Sequence, residues 1–248
     1  MRQTIIAGNW KMNLNLKQAK DLAEGIKSGL KNKQTKHKVL VYPSTIHIQA
    51  VYDILNGTDV AIGCQNIYPS KLAAFTGETS TDQLKDLNLK YVLIGHSERR
   101  QFLGESNEFL NQKIIYTLKE GMIPMYCIGE TLEEREDNKT FDVLGKQLTV
   151  GLQNISKEDV KVLSIAYEPV WAIGTGKVAT PEQAQEAHAF VRDKIKSIFN
   201  AEIAENMSIL YGGSVKPDNV QSLMSMKDID GGLVGGASQK SDSFLALL

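Results

Sequence analysis

Tyr211-Gly212-Gly213-Ser214 and Gly231-Gly232-Leu233-Val234-Gly235-Gly236-Ala237-Ser238 stand at two successive apolar runs near the end of this 248-residue chain. Glycines let a backbone approach closely and let successive N–H groups point at an anion. One Gly-Gly pair marks only a turn. Two such clusters after consecutive terminal strands match the way a (β/α)8 barrel builds an anion site with a helix N-terminus. These glycines separate a closed barrel from a doubly wound open sheet, which the rest of the chain fits nearly as well.

Upstream, short apolar runs recur at 4–7, 39–42, 60–64, 91–94, 123–128, 162–166, 208–211 and 232–234. Each is followed by a polar or Gly-rich junction and an amphipathic stretch. The runs are continuously apolar, as strands buried on both faces must be. In the first amphipathic stretch Leu16, Ala19, Leu22, Ala23, Ile26 and Leu30 keep the 3.6-residue helical period. Another opens at Thr180-Pro181-Glu182, an N-cap with Pro at the first helical position, and continues through Ala184, Ala187, Val191 and Ile195. Eight units in 248 residues give 248/8 = 31 residues each, about one strand–helix step. The expected architecture is one domain over 1–248, a single α/β (β/α)8 barrel with eight parallel strands.

Composition narrows the partners. Lys and Arg number 28 and Asp and Glu 29, a net charge of −1, with no electrostatic footprint for nucleic acid or an anionic membrane. No apolar run approaches the ~20 residues of a membrane span. The N-terminal run is cut by Gly8 and Asn9, unlike a secretory signal. Cys64 and Cys127 lie far apart, without CxxC or metal spacing, which fits a reducing, cytoplasmic setting.

Four polar clusters directly follow expected strands, where a barrel carries its chemistry. Asn9-Trp10-Lys11 offers a fixed cation, although a lone lysine is more often merely solvated. Gly95-His96-Ser97-Glu98-Arg99-Arg100 puts a histidine at a strand end, able to act as acid, base or hydrogen-bond donor. His37, His47 and His188 lack that setting, and no HExxH spacing occurs, so no metal is expected. Ala166-Tyr167-Glu168-Pro169 ends an apolar run on a carboxylate, whose desolvation would favour general-base chemistry. Gly174-Thr175-Gly176-Lys177 then suggests a hinged lid. It is no P-loop, because Trp171 and Val178 stand where Gly and Ser or Thr are required. The diglycine clusters are the fourth feature.

In order and spacing, AGNWKMN from Ala7, YVLIGHSERR from Tyr91, AYEPVWAIGTGK from Ala166, LYGGSVKPDN from Leu210 and GGLVGGAS from Gly231 resemble the triosephosphate isomerases, nearly end to end. The resemblance implies interconversion of dihydroxyacetone phosphate and D-glyceraldehyde 3-phosphate through an enediolate, in glycolysis and gluconeogenesis, without a cofactor. It implies Glu168 as base, a neutral His96 as electrophile, Lys11 as the stabilising cation and Asn9 as a neighbouring donor. Ser97 and Glu98 would position these groups, and Cys127 would pack near the base. Gly174, Ser214, Gly235 and Gly236 would hold the phosphate. Pro169, Val170, Trp171, Ala172, Ile173, Gly174, Thr175, Gly176, Lys177, Val178 and Ala179 would form the lid. Segment 65–78, with Phe75, Thr76, Gly77 and Glu78 at its centre, would insert into a partner subunit and make a homodimer. The family usually carries glycine where this chain has Ala73; if that site needed a positive φ, Ala73 would strain or redirect the loop.

Two other readings compete. A Schiff-base aldolase would use a lysine such as Lys11, but the His96 and Glu168 clusters argue against it. A catalytically silent scaffold would be expected to have lost Lys11, His96 or Glu168, and all three are present.

Overall fold

Eight parallel strands pair in chain order and close on themselves. They are β1 (Ile5–Asn9), β2 (Lys38–Tyr42), β3 (Ala61–Cys64), β4 (Tyr91–Ile94), β5 (Ile123–Ile128), β6 (Ser164–Tyr167), β7 (Ile209–Tyr211) and β8 (Gly231–Val234). The structure is a computed structural model and describes residues 2–31, 33–172 and 179–248. Helices such as Leu16–Leu30, Asn107–Lys119, Thr140–Gly151 and Pro181–Ile198 surround the strands, giving the expected (β/α)8 barrel.

Side-chain alternation divides the core in two. Ile5, Ala7, Leu40, Tyr42, Leu93, Met125, Cys127, Ala166, Leu210 and Leu233 cluster together as the barrel interior. Their strand neighbours, among them Ile6, Val39, Val41, Val92, Tyr126, Ile165 and Ile209, pack with helix residues such as Ala19, Ala23, Leu144, Ala187 and Val191. Both faces are therefore apolar, and the runs look continuous in the sequence. The inward parity continues to Asn9 at the end of β1, two residues after Ala7, and past the end of β6 to Glu168, two after Ala166.

The expected runs and the strands differ at their ends. Val162 lies in a 3-10 turn, Asp159–Val162, and is half exposed, so β6 starts two residues later than the apolar run. β1 extends to Asn9 because it pairs with Tyr42. Gly231 belongs to closure: its φ is +141°, and a Cβ there would sit 1.8 Å from the Ile5 carbonyl oxygen of the adjoining strand. Only glycine lets β8 meet β1 at that distance.

The two helices read from the sequence begin where expected, at Leu16 and after Thr180. Asn15 and Gln18, and likewise Thr180 and Gln183, form reciprocal capping boxes, the second with Pro181 in the first turn. In loop 65–78 the Tyr68 and Phe75 rings stack at 4.1 Å, and the Glu78 N–H donates to Phe75 O at 3.1 Å across Gly77, whose φ is +90°. Ala73 is not among the residues with positive φ, so it introduces no left-handed strain. Among the described residues no helix is long and apolar enough to cross a membrane.

His188, on helix Pro181–Ile198, is buried against Tyr167 and Tyr211 and donates from Nδ1 to Asp228 O at 3.2 Å. Burial, aided by the Arg192 charge, lowers its pKa from 6.5 to about 3. The unfolded chain therefore binds one more proton than the folded chain between these values. The contribution of His188 is complete above pH 6.5 and is lost as pH falls toward 3. Its slope is about 1.4 kcal/mol per pH unit. Denaturant titrations at fixed protein concentration should show a shallower acid slope for His188→Phe, by about one proton; an unchanged slope would count against this assignment.

Candidate active site

Asn9, Lys11, His96, Glu168, Ser214, Gly235 and Gly236 line one cavity of about 690 Å³ at the C-terminal ends of the strands. They arrive from β1, β4, β6, β7 and β8, five elements spread over the whole chain. Only ring closure brings them together.

Lys11 has a left-handed backbone, φ 53°, a conformation that costs a non-glycine residue roughly 1–3 kcal/mol. Three contacts hold it there. Its N–H donates to Asn9 Oδ1 at 3.0 Å, and its carbonyl accepts from Ser44 Oγ at 2.7 Å and Gln65 Nε2 at 2.9 Å. The bend aims Nζ at Glu98 Oε1, 2.6 Å away. The lysine stem passes Gly235, where a Cβ would stand 3.5 Å from Lys11 Cε.

His96 is buried and caps the helix Ser97–Leu103, with Nδ1 accepting the Glu98 N–H at 3.3 Å. An accepting Nδ1 leaves the proton of a neutral ring on Nε2. Nε2 points at Glu168 Oε1, 3.1 Å away. Glu98 Oε2 also lies 3.3 Å from Nδ1, so the carboxylate paired with Lys11 stands beside the imidazole as a nearby charge and not as a hydrogen-bond partner.

Glu168 is only 1% exposed. Its Oε2 accepts the Ser97 N–H at 2.9 Å, and its own N–H donates to Ile128 O at 2.7 Å. Gly212 packs on its stem: a Cβ there would come within 2.8 Å of Glu168 Cγ. Cys127 is buried in the barrel interior, where burial first and the Glu168 charge second push its thiol pKa up. It is thus a neutral packing neighbour of the carboxylate.

The loops after β7 and β8 supply backbone. Asn219 Nδ2 donates to Ser214 O at 2.9 Å, and the Ser238 N–H donates to Gly235 O at 3.0 Å, fixing both turns. Gly236 opens a 3-10 turn, Gly236–Gln239, at the cavity wall.

Of the expected lid, Pro169, Val170, Trp171, Ala172 and Ala179 are described. Ile173, Gly174, Thr175, Gly176, Lys177 and Val178 lie outside the described residues, and so does the expected phosphate contact of Gly174. Val170–Ala172 forms a 3-10 turn directly after the Glu168-Pro169 pair. Phe75, Thr76, Gly77 and Glu78 lie away from the cavity lining, on an exposed loop.

The sequence reading missed Glu130. This fully buried carboxylate accepts from Trp171 Nε1 at 2.8 Å, Tyr167 OH at 3.1 Å and Arg135 Nη1 at 3.2 Å, and Arg135 stacks over Trp171 at 4.4 Å. Burial raises its pKa, and these donors oppose the rise. The available signal was the one that picked out Glu168: a carboxylate just past an apolar run, here β5. The reading also missed Gln65, which braces Lys11 and Tyr42.

A buried carboxylate, an imidazole N–H and an ammonium therefore face one cavity beside two glycine-rich turns. Such a set can take a proton from a carbon next to a carbonyl and stabilise the oxyanion that forms. A family model described as triosephosphate isomerase matches residues 4–248. A triosephosphate isomerase of Leptospira borgpetersenii serovar Hardjo-bovis is 58% identical over 249 residues, spanning all of both chains. One of Leptospira biflexa serovar Patoc is 54% identical over 250 residues, again spanning both chains. One of Fusobacterium nucleatum is 49% identical over 248 residues, covering all of this chain and 98% of its own.

Proposed function

Because the chain belongs to the triosephosphate isomerase family, we propose that its residues 1–248 act as one catalytic unit in which Glu168 is the base and His96 the electrophile. The reaction is the interconversion of dihydroxyacetone phosphate and D-glyceraldehyde 3-phosphate. The observation that carries the assignment of roles is the buried Glu168–His96 pair, 3.1 Å apart, facing the same cavity as Lys11, Ser214, Gly235 and Gly236.

The substrate phosphate sits against the turns after β7 and β8, with Gly174 as a further donor. The carbonyl oxygen takes over the Nε2–H of His96, and Glu168 is released from that contact to remove the proton from the adjacent carbon. Negative charge then develops on oxygen, beside His96, Lys11 and Asn9, whose donors are fixed before the reaction begins. His96 passes its Nε2 proton to the carbonyl oxygen and takes the hydroxyl proton from the neighbouring oxygen, and Glu168 returns its proton to the former carbonyl carbon, so carbonyl and hydroxyl exchange places. Only protons move between enzyme and substrate, and the Nε2–H tautomer of His96 suits a neutral donor. A coupled assay in the presence of chelator tests this reading, with isomerisation in both directions as the expected result. Trapping of a covalent substrate imine with borohydride would instead indicate lysine chemistry.

The proposed assembly is a homodimer in the cytoplasm. Met12, Ile46, Leu72, Phe75, Phe102 and Leu103 are large apolar side chains left exposed on the connections that follow β1, β2, β3 and β4. Ser44 and Gln65 tie the first three of these connections together at Lys11. An exposed apolar surface of this kind is what a second copy would cover, and a self-complementary patch gives a closed two-fold pair. The same surface carries Lys11, so dimerisation would brace the site. Sedimentation equilibrium at micromolar concentration should give twice the chain mass; a fully active monomer there would refute the assembly. The two cysteines are buried and unpaired, as suits a reducing compartment.

A further inference from the structure

Gln147 lies on helix Thr140–Gly151, behind β5, with its side chain buried. Both ends of its amide engage a single backbone residue. Oε1 accepts the Gly129 N–H at 2.8 Å, and Nε2 donates to the Gly129 carbonyl at 3.0 Å. Gly129 is the first residue past β5, and the β5–β6 ladder ends one step earlier, at the Ile128–Tyr167 pair. The side chain thus pairs with the backbone where the ladder runs out. The helix end is tied down as well, since Tyr126 OH donates to Gln147 O at 2.9 Å.

The other side of Gly129 meets the proposed base. A Cβ on Gly129 would stand 1.8 Å from the Glu168 carbonyl oxygen and 2.8 Å from its carbon, so the two backbones are pressed together. Glu168 also donates its N–H to Ile128 O at 2.7 Å. The height of Gly129 therefore sets the height of the Glu168 main chain. The carboxylate then reaches Ser97 N–H at 2.9 Å and His96 Nε2 at 3.1 Å.

We propose that Gln147 is a positioning residue for the base: by clamping Gly129 through both ends of its amide, it fixes where the Glu168 carboxylate stands. The proposal rests on the reading of Glu168 as base. Without the clamp, Gly129 loses both partners and Glu168 loses a wall. Displacement of a catalytic group by ~1 Å can cost 10²-fold in rate. The phosphate-binding turns follow β7 and β8 and make no use of this clamp.

The test is Gln147→Leu, alone and combined with Glu168→Asp, and assayed for kcat, KM and inhibition by inorganic phosphate. We expect kcat to fall roughly tenfold or more, with KM and the phosphate inhibition constant nearly unchanged. On the Glu168→Asp background, where the carboxylate is already misplaced, the further loss should largely disappear. A folded Gln147→Leu enzyme with wild-type kcat overturns the proposal. So do a parallel rise in KM and the phosphate constant, or losses that simply multiply. Gln147→Met, closer in shape, carries the same test if the leucine variant does not fold. Failure of both to fold assigns Gln147 to stability and also overturns the proposal. A Glu168→Asp enzyme with wild-type kcat fails differently, because it removes the base reading itself whatever Gln147 does.

Discussion

Glu168→Asp is expected to lower kcat by about 10²-fold or more while KM changes far less. The shorter stem withdraws the carboxylate by one carbon–carbon bond from a site defined on several sides. Ser97 N–H and His96 Nε2 hold its two oxygens at 2.9 and 3.1 Å, and Gly212 and Gly129 leave no room for the backbone to advance. The substitution leaves the turns after β7 and β8 untouched, where the phosphate is proposed to bind, so ground-state binding is expected to survive. What is lost is the approach to a substrate carbon, which is felt in the transition state. Steady-state kinetics in both directions measures this. A kcat close to that of the parent enzyme would remove Glu168 from the role.

Lys11→Met is expected to lower kcat/KM by about 10²–10³-fold, the usual consequence of removing one preorganised oxyanion stabiliser. Methionine preserves much of the aliphatic stem beside Gly235 and removes the charge. It is no worse than lysine at a φ of 53°, and the backbone contacts to Asn9, Ser44 and Gln65 do not involve the side chain. Folding should therefore persist. The loss has two parts. The developing oxyanion loses its cation, and Glu98 loses its ion-pair partner while its carboxylate remains 3.3 Å from His96 Nδ1. An unpaired carboxylate beside an anion site repels both substrate and intermediate. KM should rise together with the fall in kcat, in contrast to Glu168→Asp. A folded Lys11→Met enzyme that retains its kcat/KM would show that the ammonium does not stabilise the reacting oxygen.

The acid slope attributed to His188 and the kinetic pattern attributed to Gln147 concern residues with almost no sequence signature. His188 reads as a helix position, and its burial between Tyr167 and Tyr211 comes from three separate elements. Gln147 reads as a polar residue on an amphipathic helix. Nothing in its neighbourhood announces a main-chain clamp on a glycine 18 residues earlier.

Much was determined within single segments. Continuous apolar runs and period-3.6 stretches are properties of ten or so neighbouring residues, so the eight strands, their helices and the capping boxes at Asn15 and Thr180 are local. Parallel strands joined by helices must place all their C-terminal ends on one face, so Asn9, Lys11, His96, Glu168, Ser214 and Gly235 were bound to share it. Tertiary structure decided the distances. The left-handed bend at Lys11 needs Ser44 and Gln65 from two other connections, and its ion pair reaches across 87 residues to Glu98. The exposure of Val162, the glycine requirement at Gly231 where β8 meets β1, and the clamp of Gln147 on Gly129 all depend on how closed strands and outer helices pack. Local sequence fixes which way a side chain leaves its own strand. The separation between two strands, and so whether two side chains meet at 3 Å or miss, follows from closure and packing of the whole ring.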